Sequence, residues 1–292
     1  RMKLVLLLVI VCTIGCDDQI PKADFPLASS IAITEENDLE SILDPAGKII
    51  EERFPEPKGT TRESVSPNSF QEYLRKLPMK ADKSEVKLYD GTRKMNTMAY
   101  EAVVDLEIGK QDLHQCADAI MRLKAEYLWN QEKYDQIHFN FTNGFRVDYS
   151  EWMKGKRIAV NGNNVSWQQS QRPSNNYDTF WAYLETVFTY AGTLSLSNEL
   201  VSVKVKDIKI GDVFIRGGSP GHAVIVVDVI CDESTQKKYF MLAQSYMPAQ
   251  EIHILSNPKS KTMSPWYSDD FGDELQTAEW VFKASELKRF AD

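Results

Sequence analysis

Three side chains that could form a nucleophilic site occur in the chain order cysteine, histidine, amide: Cys116, His222 and Gln244. In such a site a thiolate attacks a carbonyl carbon, a histidine takes the thiol proton and later returns it, and a polar residue orients the histidine. These residue types could therefore support nucleophilic attack on a carbonyl carbon. This chemistry needs no cofactor, and none is expected.

Cys116 also has a structural interpretation. It falls on an apolar helical stripe with Leu113 and Ile120, and a cysteine in such a stripe is usually a small core residue. The alternative thiol, Cys231, follows the histidine strand in an expected turn and is the poorer nucleophile candidate. Both interpretations of Cys116 remain open from the residues alone.

His222 and Gln244 have structural alternatives too. His222 begins a run of β-branched residues after a glycine-rich turn, where a histidine can simply cap a hairpin. Gln244 ends the next expected strand, where it could orient His222 or pair with backbone groups. Ser245, the following residue, is the second choice for the orienting group.

The residues around His222 carry a resemblance to a known enzyme class. A Gly211-Asp212 turn, a hydrophobic run and then Gly221-His222 followed by a buried strand resemble the catalytic-histidine region of NlpC-type and CHAP-type cell-wall hydrolases. The likeness covers residues 208–246. It implies a papain-like cysteine peptidase or amidase acting on peptidoglycan or another envelope amide, with Cys116, His222 and Gln244 as catalytic residues. The Asp-Cys-Ser-Gly signature of the NlpC type is not found at Cys116.

The N-terminal residues predict a lipid anchor. An apolar run over residues 4–14 has the length of a signal-peptide core and is too short to span a bilayer. It ends in Thr13-Ile14-Gly15-Cys16, which resembles a lipobox with Cys16 as the lipidated residue. The alternative is an ordinary cleaved signal peptide with an incidental cysteine. We therefore expect a protein of the cell envelope, attached by lipid to the outer membrane or on the periplasmic face.

Composition excludes several classes of function. The net charge of −8 argues against nucleic acid as a partner. Once Cys12 and Cys16 are set aside, only two of the four cysteines remain, which is too few for a disulfide framework or a zinc cluster. No phosphate-binding or dinucleotide-binding fingerprint is present, and no metal is expected.

The order of elements predicts an α+β fold. Residues 1–15 are expected to be a signal peptide, residues 16–60 a tether with an extended lead-in, and residues 61–292 a single domain. Helical spacing predicts helices near residues 112–129 and 177–191. The C-terminal third predicts consecutive antiparallel strands near residues 223–229, 239–244 and 251–255. Helices first and strands later indicate a papain-like core with N-terminal helices and a C-terminal antiparallel sheet.

At larger scale the mature chain resembles an uncharacterised family of Gram-negative bacterial lipoproteins, a domain of unknown function. The stretches that carry this likeness are residues 112–127, 220–228 and 243–253. Two functions remain open. One is a cysteine hydrolase of the cell envelope; the other is a non-catalytic lipoprotein that uses its many tryptophans and tyrosines to bind a glycan, peptide or protein.

Overall fold

The structure is a computed structural model, and it describes residues 43–291. The predicted signal peptide, the lipobox and Cys16 lie outside these residues. The α-helices are α1 (Ile50–Arg53), α2 (Phe70–Arg75), α3 (Cys116–Asn130), α4 (Tyr149–Met153), α5 (Tyr177–Tyr190) and α6 (Thr193–Glu199). The strands are β1 (Thr60–Arg62), β2 (Tyr100–Val103), β3 (His138–Asn140), β4 (Arg146–Asp148), β5 (Lys156–Asn161), β6 (Asn164–Gln169), β7 (Leu200–Ser202), β8 (Val213–Arg216), β9 (His222–Asp232), β10 (Lys238–Gln244), β11 (His253–Leu255), β12 (Trp266–Ser268), β13 (Glu274–Gln276), β14 (Val281–Lys283) and β15 (Leu287–Phe290).

A nine-stranded antiparallel sheet organises the fold. Seven strands follow the order β2-β11-β10-β9-β8-β15-β7, while β1 pairs with β9 and β12 pairs with β10. The long strands β9 and β10 lie at its centre, so each takes more than two partners along its length. Three separate two-stranded ribbons, β3-β4, β5-β6 and β13-β14, surround the sheet.

The central strand β9 is covered on both faces, which explains why its sequence is mostly apolar and does not alternate. Its first nine residues are all buried, whereas a strand with one solvated face would alternate polar and apolar residues. Helix α3 packs on the sheet at β9 and β10. Phe282 of β14 covers another part of it, with ring centroids 6.0 Å from Phe214 and 5.9 Å from His222. The β13-β14 ribbon therefore closes over the start of β9.

The predicted α+β class with a papain-like core is wrong. Strand residues outnumber helical residues, and the dominant element is the large antiparallel sheet rather than a helical half joined to a C-terminal sheet. The physical reason is long-range pairing. Residues 60–62 of β1 pair with residues 230–232, and β2 pairs with β11, so strands from the N-terminal half belong to the sheet predicted for the C-terminal third. Local periodicity does not contain that information.

A buried carboxylate joins the N-terminal elements to the central strand. Asp228 of β9 is fully buried and accepts hydrogen bonds from Nε of Arg62 at 2.8 Å and Nε of Arg75 at 2.7 Å. Arg62 lies on β1 and Arg75 on α2, so one carboxylate fixes two elements against β9. Arg75 also donates to the carbonyl oxygen of Glu63 at 2.8 Å.

Replacing Asp228 with Asn should strongly destabilise the protein. The substitution leaves the Arg62 and Arg75 guanidinium groups without their counter-charge, and removing one partner of a buried ion pair costs about 3–5 kcal/mol. The free energy of unfolding in urea measures the loss. Glu85→Gln is the matched control, because Glu85 also pairs with two cations, Lys87 and Arg93, but on the surface. Equal effects of the two variants would contradict this assignment.

Candidate functional site

Cys116 is the first residue of helix α3. The predicted helix began at Asp112, but residues 111–115 form turns and loop instead. The Asp112 side chain accepts a hydrogen bond from the backbone N–H of Ala249 at 2.6 Å, which ties this segment to the loop after β10. Asp118 caps the helix by accepting from the backbone N–H of Gln115 at 3.0 Å. The thiol therefore lies at a helix N-terminus, where free N–H groups favour a negative charge.

Burial keeps the Cys116 thiol protonated in the resting structure. The residue is 7% exposed, and burial, with a smaller contribution from the Asp118 carboxylate, raises the pKa of the thiol to about 11. The backbone N–H groups of Cys116, Ala117 and Ala223 oppose this shift. Since Ala223 follows His222 directly, the sulfur lies beside the start of β9.

His222 and Gln244 form a direct hydrogen bond. The His222 Nε2 and Gln244 Oε1 atoms are 2.8 Å apart. The amide nitrogen of Gln244 donates to Glu279 Oε2 at 2.7 Å and lies 3.3 Å from His253 Nε2. Because the NH₂ group must face the carboxylate, the amide oxygen must face His222. His222 Nε2 then carries the proton, and Nδ1 is the unprotonated nitrogen of the neutral ring.

A buried ion pair supports Gln244 from behind. Lys94, 5% exposed, lies 2.8 Å from Glu279 Oε2 and donates to Gln250 Oε1 at 2.9 Å. Asn96 donates to the other carboxylate oxygen of Glu279 at 3.2 Å. Glu279 thus has three polar partners, which hold its carboxylate in place. In that position it accepts from the NH₂ group of Gln244, and so it determines which end of the Gln244 amide faces His222.

Three aromatic side chains lie against the His222 ring. The centroids of Tyr246, Trp280 and Phe282 lie 4.8, 5.2 and 5.9 Å from it. Burial lowers the pKa of His222 to about 4, against a smaller opposing effect of its hydrogen bond to Gln244. Burial raises the pKa of Tyr246, as do the charges of Glu279 and Cys116. Tyr246 therefore lies close to both the thiol and the imidazole.

A glycine is required immediately before His222. A Cβ atom on Gly221 would come within 2.4 Å of both the Gly218 carbonyl oxygen and Thr193 Oγ1. Thr193 begins α6 and donates to that same carbonyl at 3.2 Å. The glycine-rich turn between β8 and β9 is thus in close contact with α6. This contact fixes the position of His222 at the start of β9.

The structure brings Cys116, His222 and Gln244 to one region, with unequal contacts. His222 and Gln244 are hydrogen-bonded, whereas no hydrogen bond joins the Cys116 sulfur to the His222 ring among residues 43–291. The Ser245 hydroxyl lies 2.8 and 2.7 Å from the backbone carbonyl oxygens of His114 and Gln250, and it makes no hydrogen bond to His222 in this part of the chain. Cys231 lies nine positions after His222 on β9, roughly 30 Å along an extended strand.

Sequence reasoning missed Lys94, Tyr246, His253 and Glu279. No sequence motif marks Lys94 or Glu279, which become site residues only when the fold pairs them. His253 lies on the strand predicted near residues 251–255, and the structure buries it completely. Of the tryptophans proposed for a binding groove, Trp280 is at this site, and Trp266 is buried in the core.

Residues 43–291 contain no cluster of three or more His, Cys, Asp or Glu side chains arranged to hold a metal ion. In the same range, no helix has the length and hydropathy needed to cross a bilayer. The polar groups available for chemistry at this site are therefore the thiol, the imidazole and the network behind it.

Comparison with known proteins gives one match. A family model described as Domain of unknown function (4846) matches residues 50–289. This range includes Lys94, Cys116, His222, Gln244 and Glu279. No curated protein and no solved structure matches the chain.

Replacing Glu279 with Gln should release the Gln244 amide from its single orientation. His222 should then populate both neutral tautomers, whereas the unaltered protein should show only the Nε2-protonated form. Nitrogen-15 chemical shifts of the His222 ring distinguish the two. Glu274→Gln, an exposed change on the neighbouring strand β13, is the control and should leave the tautomer unchanged. An Nδ1-protonated ring in the unaltered protein would refute the deduced proton positions.

Three buried histidines should make the fold sensitive to acid. Burial lowers the pKa from 6.5 to about 4 for His222 and to about 3 for His114 and His253. Below pH 6.5 the unfolded chain binds protons that the folded chain does not, so the free energy of unfolding contributed by these groups falls as the pH drops toward 4. Both ring nitrogens of His114 lack a hydrogen bond.

His114→Leu should therefore reduce the loss of stability between pH 7 and pH 4.5, by up to about 1.4 kcal/mol per pH unit. Urea unfolding at several pH values measures it. His138→Leu is the control, because His138 is only partly buried and accounts for less of the effect. An unchanged pH dependence in His114→Leu would contradict the prediction.

Proposed function

The chain belongs to the family described as Domain of unknown function (4846), and we propose that it is a cysteine-dependent hydrolase of amide bonds in the bacterial cell envelope. The observation that carries this proposal is the site itself. Cys116 begins a helix beside the residue that follows His222, and Gln244 holds the His222 ring at 2.8 Å. The substrate is the stem peptide of peptidoglycan or another envelope amide.

The reaction starts from a neutral thiol and a neutral imidazole. His222 Nδ1, the unprotonated ring nitrogen, takes the thiol proton as the Cys116 sulfur attacks the carbonyl carbon. Gln244 Oε1 accepts a hydrogen bond from the Nε2–H group of the resulting imidazolium. The Glu279 carboxylate, on the other side of Gln244, favours the positive charge. The N–H groups at the start of α3 favour the negative charge that develops beside the sulfur.

The remaining steps return the enzyme to its starting state. The carbon–nitrogen bond breaks, and His222 gives its proton to the leaving amine. A water molecule, deprotonated by His222, then attacks the thioester on Cys116. The carboxylic acid leaves and the sulfur recovers its proton, so no oxidant, reductant or metal is consumed.

Location in the envelope rests on the N-terminal sequence. The apolar run over residues 4–14 followed by Cys16 supports a lipid anchor, and two or more acyl chains are enough for stable attachment to a membrane. The membrane is then a partner through the lipid alone.

A second candidate function is non-catalytic binding of a glycan, peptide or protein. Two observations favour it. The Cys116 thiol is buried with a pKa of about 11, which is the behaviour of a core cysteine. In addition, a cavity of about 680 Å³ lies between α3 and the β3-β4 ribbon, lined by groups that include His138, Arg146 and Glu199.

Cys116→Ala separates the two functions. We expect it to abolish release of peptide fragments from purified peptidoglycan, at least about 10³-fold, because the nucleophile is lost. Cys231→Ala is the matched control and should keep full activity, since Cys231 lies at the other end of β9. Fragment release that persists in Cys116→Ala would remove Cys116 from the mechanism.

Thiol alkylation tests the same pair without a known substrate. In a hydrolase, His222→Ala should slow the reaction of Cys116 with iodoacetamide at pH 7, because the proton acceptor is gone. A core cysteine should react slowly in both proteins. Mass spectrometry of the peptide containing Cys116 measures the rate and separates it from the other thiols.

A further inference from the structure

The exposed methionines of this protein are concentrated near the candidate site. Met95, Met98 and Met247 are 83%, 78% and 59% exposed, and they are the three most exposed large hydrophobic side chains among the described residues. A large apolar side chain in water loses the stabilisation that burial would bring. Contiguous apolar exposure commonly marks a binding surface.

Contacts of the neighbouring residues place Met95 and Met247 on the side of the candidate site that holds Glu279 and Tyr246, and Met98 follows Met95 by three residues. Met95 lies between Lys94 and Asn96, which both bind Glu279. Met98 belongs to the single helical turn that follows, and the N–H of Thr97 donates to the Met95 carbonyl oxygen at 3.0 Å. Met247 follows Tyr246, and Lys94 Nζ lies 5.1 Å from the centre of the Tyr246 ring.

Leu194 provides exposed apolar surface on another side of His222. It is 45% exposed and follows Thr193, which contacts the glycine-rich turn before His222. The Leu194 Cα lies 3.3 Å from the position of a Cβ built on Gly217 in the same turn. We call these four side chains, Met95, Met98, Met247 and Leu194, the apolar rim.

The Lys94 charge next to Met95 is already paired with Glu279. Lys94 and Glu279 are 2.8 Å apart, and both are largely buried. A charged ligand would have to break that pair, whereas an apolar chain would leave it intact. Methionine side chains are unbranched and flexible, which suits them to contact chains of variable shape.

We propose that the apolar rim binds a long, unbranched acyl chain, so that the substrate of Cys116 is an acyl amide or acyl ester. This inference rests on the proposed hydrolase function and specifies its substrate class. The acyl carbonyl accepts the Cys116 sulfur, its bond to the leaving amine or alcohol breaks, and the proton taken by His222 goes to that leaving group. The chain stays on the rim as a thioester until water releases the fatty acid.

A series of p-nitrophenyl esters with acyl chains of two to twelve carbons tests the substrate class. With the full chain, kcat/KM should rise about two- to four-fold per added CH₂ until the rim is covered, given the transfer free energy of a methylene. The triple substitution Met95→Ser, Met98→Ser and Met247→Ser should flatten this dependence. Val201→Ser, an exposed change at 50% exposure on the edge strand β7, should retain it.

Alkyl methanethiosulfonates test the rim without any hydrolysis. They transfer a methylthio, butylthio or octylthio group to Cys116 and release a sulfinate. The rate of labelling of the Cys116 peptide therefore measures how readily each alkyl group reaches the sulfur. The octyl reagent should react at least about ten-fold faster than the methyl reagent, and the triple substitution should remove the difference. Equal rates for all chain lengths would overturn the rim proposal.

The two proposals can fail separately. Ester hydrolysis that depends on Cys116 but not on chain length would retain the hydrolase and reject the acyl substrate. A preference for peptides with apolar side chains over acyl esters would also reject it. Chain-dependent labelling in a protein that shows no Cys116-dependent hydrolysis would retain the apolar site and reject the hydrolase.

Discussion

Strand β9 is buried along its first nine residues, so every polar group on it must find its partner inside the protein. Two of those residues, His222 and Asp228, carry polar side chains, and each is satisfied by other strands and helices. His222 binds Gln244 of β10, and Asp228 binds Arg62 and Arg75. The packing of α2, β1 and β10 on the centre of the sheet follows from these two requirements as much as from apolar burial.

The same constraint shapes the candidate site. Because the His222 ring has so little solvent around it, its proton position is set by neighbouring side chains rather than by water. A chain of hydrogen bonds runs from Lys94 through Glu279 and Gln244 to the imidazole. Each group in it fixes whether the next one donates or accepts. The thiol and the imidazole of this site are both neutral near pH 7, because burial raises the pKa of Cys116 to about 11 and lowers the pKa of His222 to about 4.

Part of this arrangement could be predicted from the sequence. Local patterns placed His222 at a strand start and Gln244 at the end of the next strand, because β-branched runs and glycine turns are short-range signals. They could not show that β1 and β2 join the same sheet, since those pairings connect residues about 150 or more positions apart. Glu279 and Lys94 were missed for the same reason: each is an ordinary surface-type residue until the fold buries it beside Gln244.

The attachment of β1 to the far end of β9 has a mechanical consequence. Tension on the chain from its N-terminal side would first reach α1, which is hydrogen-bonded to residues 77–80, and then β1 and the Arg62 guanidinium group on Asp228. His222 lies six residues from Asp228, roughly 20 Å along the strand. A load on the N-terminal side would therefore be shared between two connections: the β1–β9 ladder with its ion pairs, at the end of β9 far from the imidazole, and the bridges of residues 78–80 to β2.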